Sequence, residues 1–401
     1  MNSIASFINL KQYCEKEQFK GWDPFDGLNS KVLKAILPLR YSAVLRLIVI
    51  QGFKRCPWNL RPLLGVPKEY NAKGIGLFLQ GYCNLLKLVN SKPELEEKFG
   101  DRLHLLKKIN ELAELLISLR SEGYHGSCWG YNFDWQSRRL FLFPAYCPTV
   151  VATNFCATAL MEAFEMTGEK RYLDVALDSA NFILNDLHFD EYEGERMISY
   201  SPLHGNDLVS NASLLGSRIL AYCYKYTGKE IYLDVARSSV KACCKGQRED
   251  GSWTYSQVPP KLWVDSFHTG YNLDGLIAYE EQTGDKDYHK NIERGFDYYI
   301  QNFFSEDGSP KYYNNQQYPI DIHCPGQLLV TLHRLHKFRK HQELANKVLG
   351  WTIKNMQDKE GYFYYQLKKG ISSKIPYMRW SNAFMFYAMS YYFIDKENLN
   401  Q

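Results

Sequence analysis

The chain has 401 residues, 45% hydrophobic and 23% charged, with a formal net charge of +4. Such a composition excludes a disordered or fibrous protein, and charge spread along the chain without a basic stripe excludes a nucleic-acid binder. Ten cysteines at irregular spacings, with no CxxC pair, read as reduced, buried thiols. The N-terminus lacks the basic start, apolar run and cleavage site of a secretory leader. The most apolar run, Tyr41 to Phe53, carries Arg46 and is too short to span a bilayer. A cytoplasmic protein without a membrane span is therefore expected.

In chain order, Leu28 to Gln51 is a first amphipathic stretch. Apolar helices are then predicted to start near Gly74, Thr153, Asn211, His268, His323 and Arg379, with more amphipathic partners starting near Arg102, Glu169, Lys229, Asp285 and His341. Three of the intervening turns align as EMTGEKRYLDVA from Glu165, KYTGKEIYLDVA from Lys225 and EQTGDKDYHKNI from Glu281, with a degenerate fourth, HKFRKHQELANKV, from His336. A repeat of this length means stacked supersecondary units. Six hairpins give an all-α (α/α)6 toroid occupying residues 1–401 as one domain, with an inner ring of six helices. One outer helix is missing from the count, and the stretch of about 28–51 is expected to supply it, closing the ring with the C-terminal helix.

Long polar and aromatic loops precede the inner helices, while the turns within each hairpin are short. All the long loops therefore emerge on one rim, where the helix dipoles favour anionic groups and a ligand funnel is expected. Asp134, in CWGYNFDWQSR, and Asp265, in WVDSFHTGYNLDGL, are the candidate carboxylate pair for glycoside hydrolysis, which needs one protonated and one ionised acid across a saccharide-sized gap. His268 and His323 occupy equivalent helix starts in successive repeats, each near an Asp, and are candidate acid/base groups. Thr269 is the expected cap of the fourth inner helix. Trp129, Trp135, Trp253, Trp263 and Trp380 are candidate stacking platforms, and Arg138, Tyr271, Asp321 and Arg379 candidate substrate contacts; Arg379 would grip a carboxylate or phosphate, or else close the ring through a salt bridge.

DSFHTGYNLDGL resembles a segment of protein prenyltransferase β subunits in which the His binds zinc, and QREDGSW resembles a motif of triterpene cyclases; both families are α/α toroids. The preceding mouth offers Asp207 but no Cys, and the chain has no DxDD motif. These resemblances imply the fold and not the activity, and no metal or cofactor is expected. From FKRCPWNLRPLLGVPK through YPIDIHC to PYMRWSN the chain is similar to a family of bacterial and archaeal α/α toroids that accompany surface-polysaccharide biosynthesis genes, which implies a saccharide context. The expected function is thus a carbohydrate-active enzyme of surface-polysaccharide metabolism, glycosidase-like at Asp134 and Asp265. A uronate C5-epimerase or polysaccharide lyase, using His268 or Tyr271 with Arg379, is the alternative; a non-catalytic glycan- or partner-binding toroid is another. The sequence leaves the oligomeric state open.

Overall fold

The computed structural model describes residues 2–36, 41–137 and 141–399. The inner helices are α3 (Ala72–Ser91), α5 (Val150–Thr167), α8 (Ser210–Thr227), α10 (Ser266–Thr283), α12 (His323–Arg334) and α14 (Phe384–Asn398), the last opened by a π-helical turn at Met378–Ala383. Each packs on the next, and α14 packs back on α3, so the inner ring closes. Their outer partners are α4 (Arg102–Ser118), α6 with α7 (Lys170–Leu177 and Ser179–Asn185), α9 (Glu230–Lys245), α11 (His289–Phe303) and α13 (Gln342–Met356). This is the (α/α)6 toroid, and the helix starts fall within a few residues of those read from the repeats.

The repeated Thr-Gly has a physical cause. Gly168, Gly228 and Gly284 adopt φ of 73, 68 and 77° and end α5, α8 and α10 as left-handed caps. Each preceding Thr returns its hydroxyl to the carbonyl four residues back, as Thr283 Oγ1 does to Tyr279 at 2.7 Å. His336, at φ 54°, takes the left-handed position in the degenerate fourth turn. Neighbouring inner helices approach so closely that glycine is needed between them; a Cβ on Gly76 would lie 3.0 Å from the Phe155 carbonyl oxygen. One apolar cluster runs through the ring from Phe7 to Phe393.

The sixth outer helix is not the predicted one. Helix α1 (Ser3–Lys16) packs on α13 and α14, with Phe7 against Phe386 and Phe393. The stretch expected there instead forms α2 (Ala43–Arg55), which lies on the 3-10 turn Asp26–Asn29 and on the short strand β1 (Trp135–Gln136). Only Ile50 and Phe53 of α2 are buried, too little apolar surface to serve as a ring element. Three two-stranded ribbons decorate the loops: β1 with β2 (Leu142–Phe143), β3 (Phe189–Tyr192) with β4 (Glu195–Ile198), and β5 (Ile320–Asp321) with β6 (Gln366–Leu367). All ten cysteines are unpaired thiols, and nine are buried. Among the described residues no helix is long and apolar enough to cross a membrane.

Candidate functional site

All six inner helices place a first-turn residue on the floor of one cavity of about 220 Å³: Lys73, Val151, Asn211, Phe267, His323 and Arg379. The walls are aromatic. Tyr255 and Trp263 stack at 4.8 Å between ring centroids and 14°, Tyr131 stacks on Phe133, and Trp135 stacks on Phe143. Among the described residues no carboxylate lines the cavity, whereas Lys54, Lys73 and Arg379 do. Helix N-termini pointing inward add partial positive charge, so the field favours an anionic ligand. Trp135 Nε1, Asn211 Oδ1 and His323 Nδ1 are buried atoms of cavity-lining residues without a partner among the described residues. Orphaned polar groups on a cavity wall are the places where a ligand's hydroxyls are expected.

His268 is the best-organised titratable group here. Asp265, 2% exposed, caps α10 by accepting the His268 backbone N–H at 3.1 Å. Its Oδ2 accepts Trp263 Nε1 at 3.0 Å and lies 2.7 Å from His268 Nδ1. An ionised carboxylate only accepts, so Nδ1 carries the proton and Nε2 is the basic nitrogen of the neutral ring. Asp265 therefore holds His268 in position, and it, not Thr269, is the cap; Thr269 Oγ1 donates to the Asp265 carbonyl.

Deeper in, Lys73 Nζ donates to Tyr271 Oη at 3.2 Å and lies 4.2 Å from the Phe155 ring centroid. Burial, with Arg379 adding to it, pushes Lys73 well below its ordinary pKa. Burial holds Tyr271 well above its own, so the phenol keeps its proton and has it to give. His323 stacks on Phe384 at 4.0 Å; burial foremost, then Lys73, Arg379 and His268, lower its pKa well below 6.5, keeping it neutral.

Residues 266–399, a third of the chain, match the family model for Glycosyl Hydrolase Family 88. No curated protein matches the chain. Solved structures similar to it include an unsaturated glucuronyl hydrolase specific for heparin (TM-score 0.62, 14% identity, covering 98% of this chain and 97% of that one). A cellobiose 2-epimerase from Bacillus thermoamylovorans (0.62, 13%, 83% and 90%) and a GH76 α-mannanase from Bacteroides thetaiotaomicron (0.60, 13%, 82% and 88%) are similar as well. At these identities the likeness shows the fold, which is the six-hairpin toroid these proteins share.

The candidates from sequence divide sharply. His268, His323, Tyr271, Trp135, Trp263, Arg379 and Trp380 line the cavity. Asp134 and Asp265 do not meet there as a facing pair: Asp134 accepts Ala145 N at 2.7 Å in the β1–β2 hairpin, and Asp265 is occupied by three donors. Asp321, fully buried, accepts from His323 N, Trp380 Nε1 and Gln366 Nε2, and so positions Trp380 and the start of α12 from behind. Trp129 and Trp253 are not platforms; both are buried, with their indole N–H donated to the carbonyls of Leu116 and Cys243. Arg379 takes its ring-closing role, Nε and Nη2 gripping Asp23 at 2.6 and 2.8 Å, so its charge is already spent. Asp207 lies beside His188 and Asp190, and among the described residues it does not line the cavity with His268. Arg138 lies outside the described residues. Sequence reasoning missed Lys73 and Asp23. Lys73 had a signal, since NAKGIG holds it two residues after the Asn71 cap, the register of Phe267 and one position before that of His268.

Proposed function

We propose that this chain is a carbohydrate-active enzyme that moves a proton on an acidic saccharide, with His268 as base and Tyr271 as acid. One observation carries the reading: His268 Nδ1 is held by buried Asp265, leaving Nε2 as the base of a cavity that has cations and aromatic faces but, among the described residues, no carboxylate on its wall. Proton abstraction next to a uronate carboxylate needs a base, an opposing acid and a cation for the developing charge. His268 and Tyr271 fill the first two roles; burial favours the neutral Lys73 amine, and a carboxylate bound beside it would restore its proton and make it the cation, in place of the already paired Arg379. Aromatic walls suit the apolar faces of sugar rings, and the similarity to a glucuronyl hydrolase and a sugar epimerase supports a saccharide. Epimerisation at C5 and β-elimination both follow from this step. Surface-polysaccharide metabolism in the cytoplasm is the biological setting of the proposal.

Hydrolysis is the second reading, favoured by the Glycosyl Hydrolase Family 88 match over the segment that carries His268. A non-catalytic glycan-binding toroid is the third. Incubation with uronate-containing and neutral oligosaccharides in D₂O separates them. Deuterium at C5 or an unsaturated product, lost in His268→Gln, is the expected outcome. New reducing ends without exchange would transfer the assignment to hydrolysis, and tight binding without any product would leave a binding protein.

A further inference from the structure

The helix that failed to close the ring carries an unusual surface. From residue 31 to residue 68 the chain holds eight Lys and Arg and no Asp or Glu, while the rest has 40 basic residues against 44 acidic. The expected absence of a basic stripe therefore holds for the chain as a whole but not for this segment. Many of its apolar side chains face outward, although Ile50, Phe53 and Val66 are buried. Nine of the sixteen large exposed hydrophobic residues among those described lie here, including Ile48 (60%), Trp58 (71%), Leu63 (80%) and Tyr41 (83%). On α2 the exposed positions are Val44, Leu45, Ile48, Gly52 and Arg55, one helical stripe, so the solvent face is apolar where a surface helix is normally polar.

The pieces converge on one anchor. Helix α2 and the short helix Lys31–Lys34 both pack on the turn Asp26–Asn29. The 57–65 loop is tied to the same place by Arg61 Nε on Asp26 at 2.7 Å and Ser30 Oγ on the Leu64 carbonyl at 2.6 Å. Of the cations, Arg61 is buried on Asp26 and Lys68 pairs with Glu17, while Lys31, Lys34 and Arg55 are exposed among the apolar side chains. Exposed apolar side chains on a fixed frame, with these cations and a Trp among them, match an interfacial element: apolar groups enter the acyl boundary while Lys and Arg meet anionic headgroups.

We infer that residues 31–36 and 41–68 form a docking surface for an anionic lipid bilayer, on which the protein lies without spanning it. The patch borders the cavity, for Phe25 and Lys54 are among its lining residues and Arg46 Nε donates to Gln136 of β1 at 2.8 Å. Docking sets the mouth beside the lipid, where a glycan held at the membrane would be presented. The inference does not depend on the chemistry proposed for the cavity.

Flotation of the full-length protein with vesicles of phosphatidylcholine alone, or with about 30% phosphatidylglycerol, tests it. Binding is expected to be at least about tenfold stronger to the anionic vesicles and to fall as salt is raised. The double variant Ile48→Asp, Leu63→Asp is expected to lose it with an unchanged thermal midpoint, because both side chains are exposed. Wild-type protein that stays unbound, or a variant that floats equally well, overturns the inference. So does a wild-type dimer that Ile48→Asp splits without any vesicle binding, which would assign the patch to a second copy of the chain.

Discussion

Removing Asp23 is the sharpest test of how the site is held. Arg379 opens the last inner helix and is 4% exposed; its Nε and Nη2 meet both oxygens of Asp23, itself 4% exposed, 356 residues away in sequence. Burial works against the Arg379 charge, but Asp23 outweighs it and raises the pKa, so the guanidinium stays ionised. Asp23→Ala leaves that cation buried and unpaired. Breaking one side of a buried pair costs about 3–5 kcal/mol, which is about 10²–10³·⁵ in the unfolding constant at 1.4 kcal/mol per tenfold. The Asp23→Ala, Arg379→Met double variant is expected to recover most of the loss, since an apolar side chain of similar length restores packing without a stranded charge. Urea denaturation of wild type, both single variants and the double variant gives the coupling directly. A loss below about 1 kcal/mol for Asp23→Ala, or a double variant as unstable as the two singles combined, would refute the clamp.

Asp265→Asn keeps one oxygen for the α10 cap but turns an amide toward Trp263 Nε1 and His268 Nδ1, so the ring must accept at Nδ1 and carry its proton on Nε2; turnover is expected to fall by up to about 10⁴, as when a triad Asp becomes Asn, with substrate affinity near wild type, and unchanged kcat would remove His268 as base. Lys73→Met is expected to abolish turnover yet raise stability by about 1–3 kcal/mol, because it relieves a buried amine whose pKa burial already lowers; a variant less stable than wild type in urea would show that Lys73 serves the fold. Burial lifts Asp321 from the ordinary carboxyl range to about 6 despite its three donors. Between about pH 4 and 6 the folded carboxyl is still protonated while the unfolded one is ionised, so this group's contribution to stability falls as pH rises through that window and is level above it. Unfolding free energies at pH 4, 5, 6 and 7 are expected to show this slope in wild type and not in Asp321→Asn; equal slopes would reject the assignment.

The ring was legible because its signals are local. A left-handed Gly after an apolar run, preceded by a Thr that folds back on its own helix, marks a helix end wherever it occurs, and Gly168, Gly228 and Gly284 all do so. The helix starts gave His268 and His323, and would have given Lys73 had the whole first turn of the first inner helix been weighed rather than its Gly74 alone. What stayed hidden depends on distant partners. Nothing near Asp23 announces Arg379, and nothing in DGSW says that Trp253 will slide beneath Gly295, where a Cβ would sit 2.4 Å from the indole. The stretch 28–51 misled for a related reason: periodicity reports that a helix has an apolar stripe, but not which way that stripe points.

The placement of carboxylates bears most directly on mechanism. Asp23 neutralises Arg379, Asp265 orients His268 and Asp321 positions Trp380, so these three acids are each bound to a group that lines the cavity. A two-carboxylate hydrolase must keep its acids free to face the scissile bond, whereas a proton-transfer site uses them to fix the groups that do. The described acids lie behind the wall and the histidines, tyrosine and lysine in front, which is the geometry the proposed proton transfer uses. Among the described residues the same withdrawal of negative charge leaves no carboxylate facing the inner helix N-termini at the cavity, and in the proposed reading that is where the carboxylate of an acidic sugar would sit.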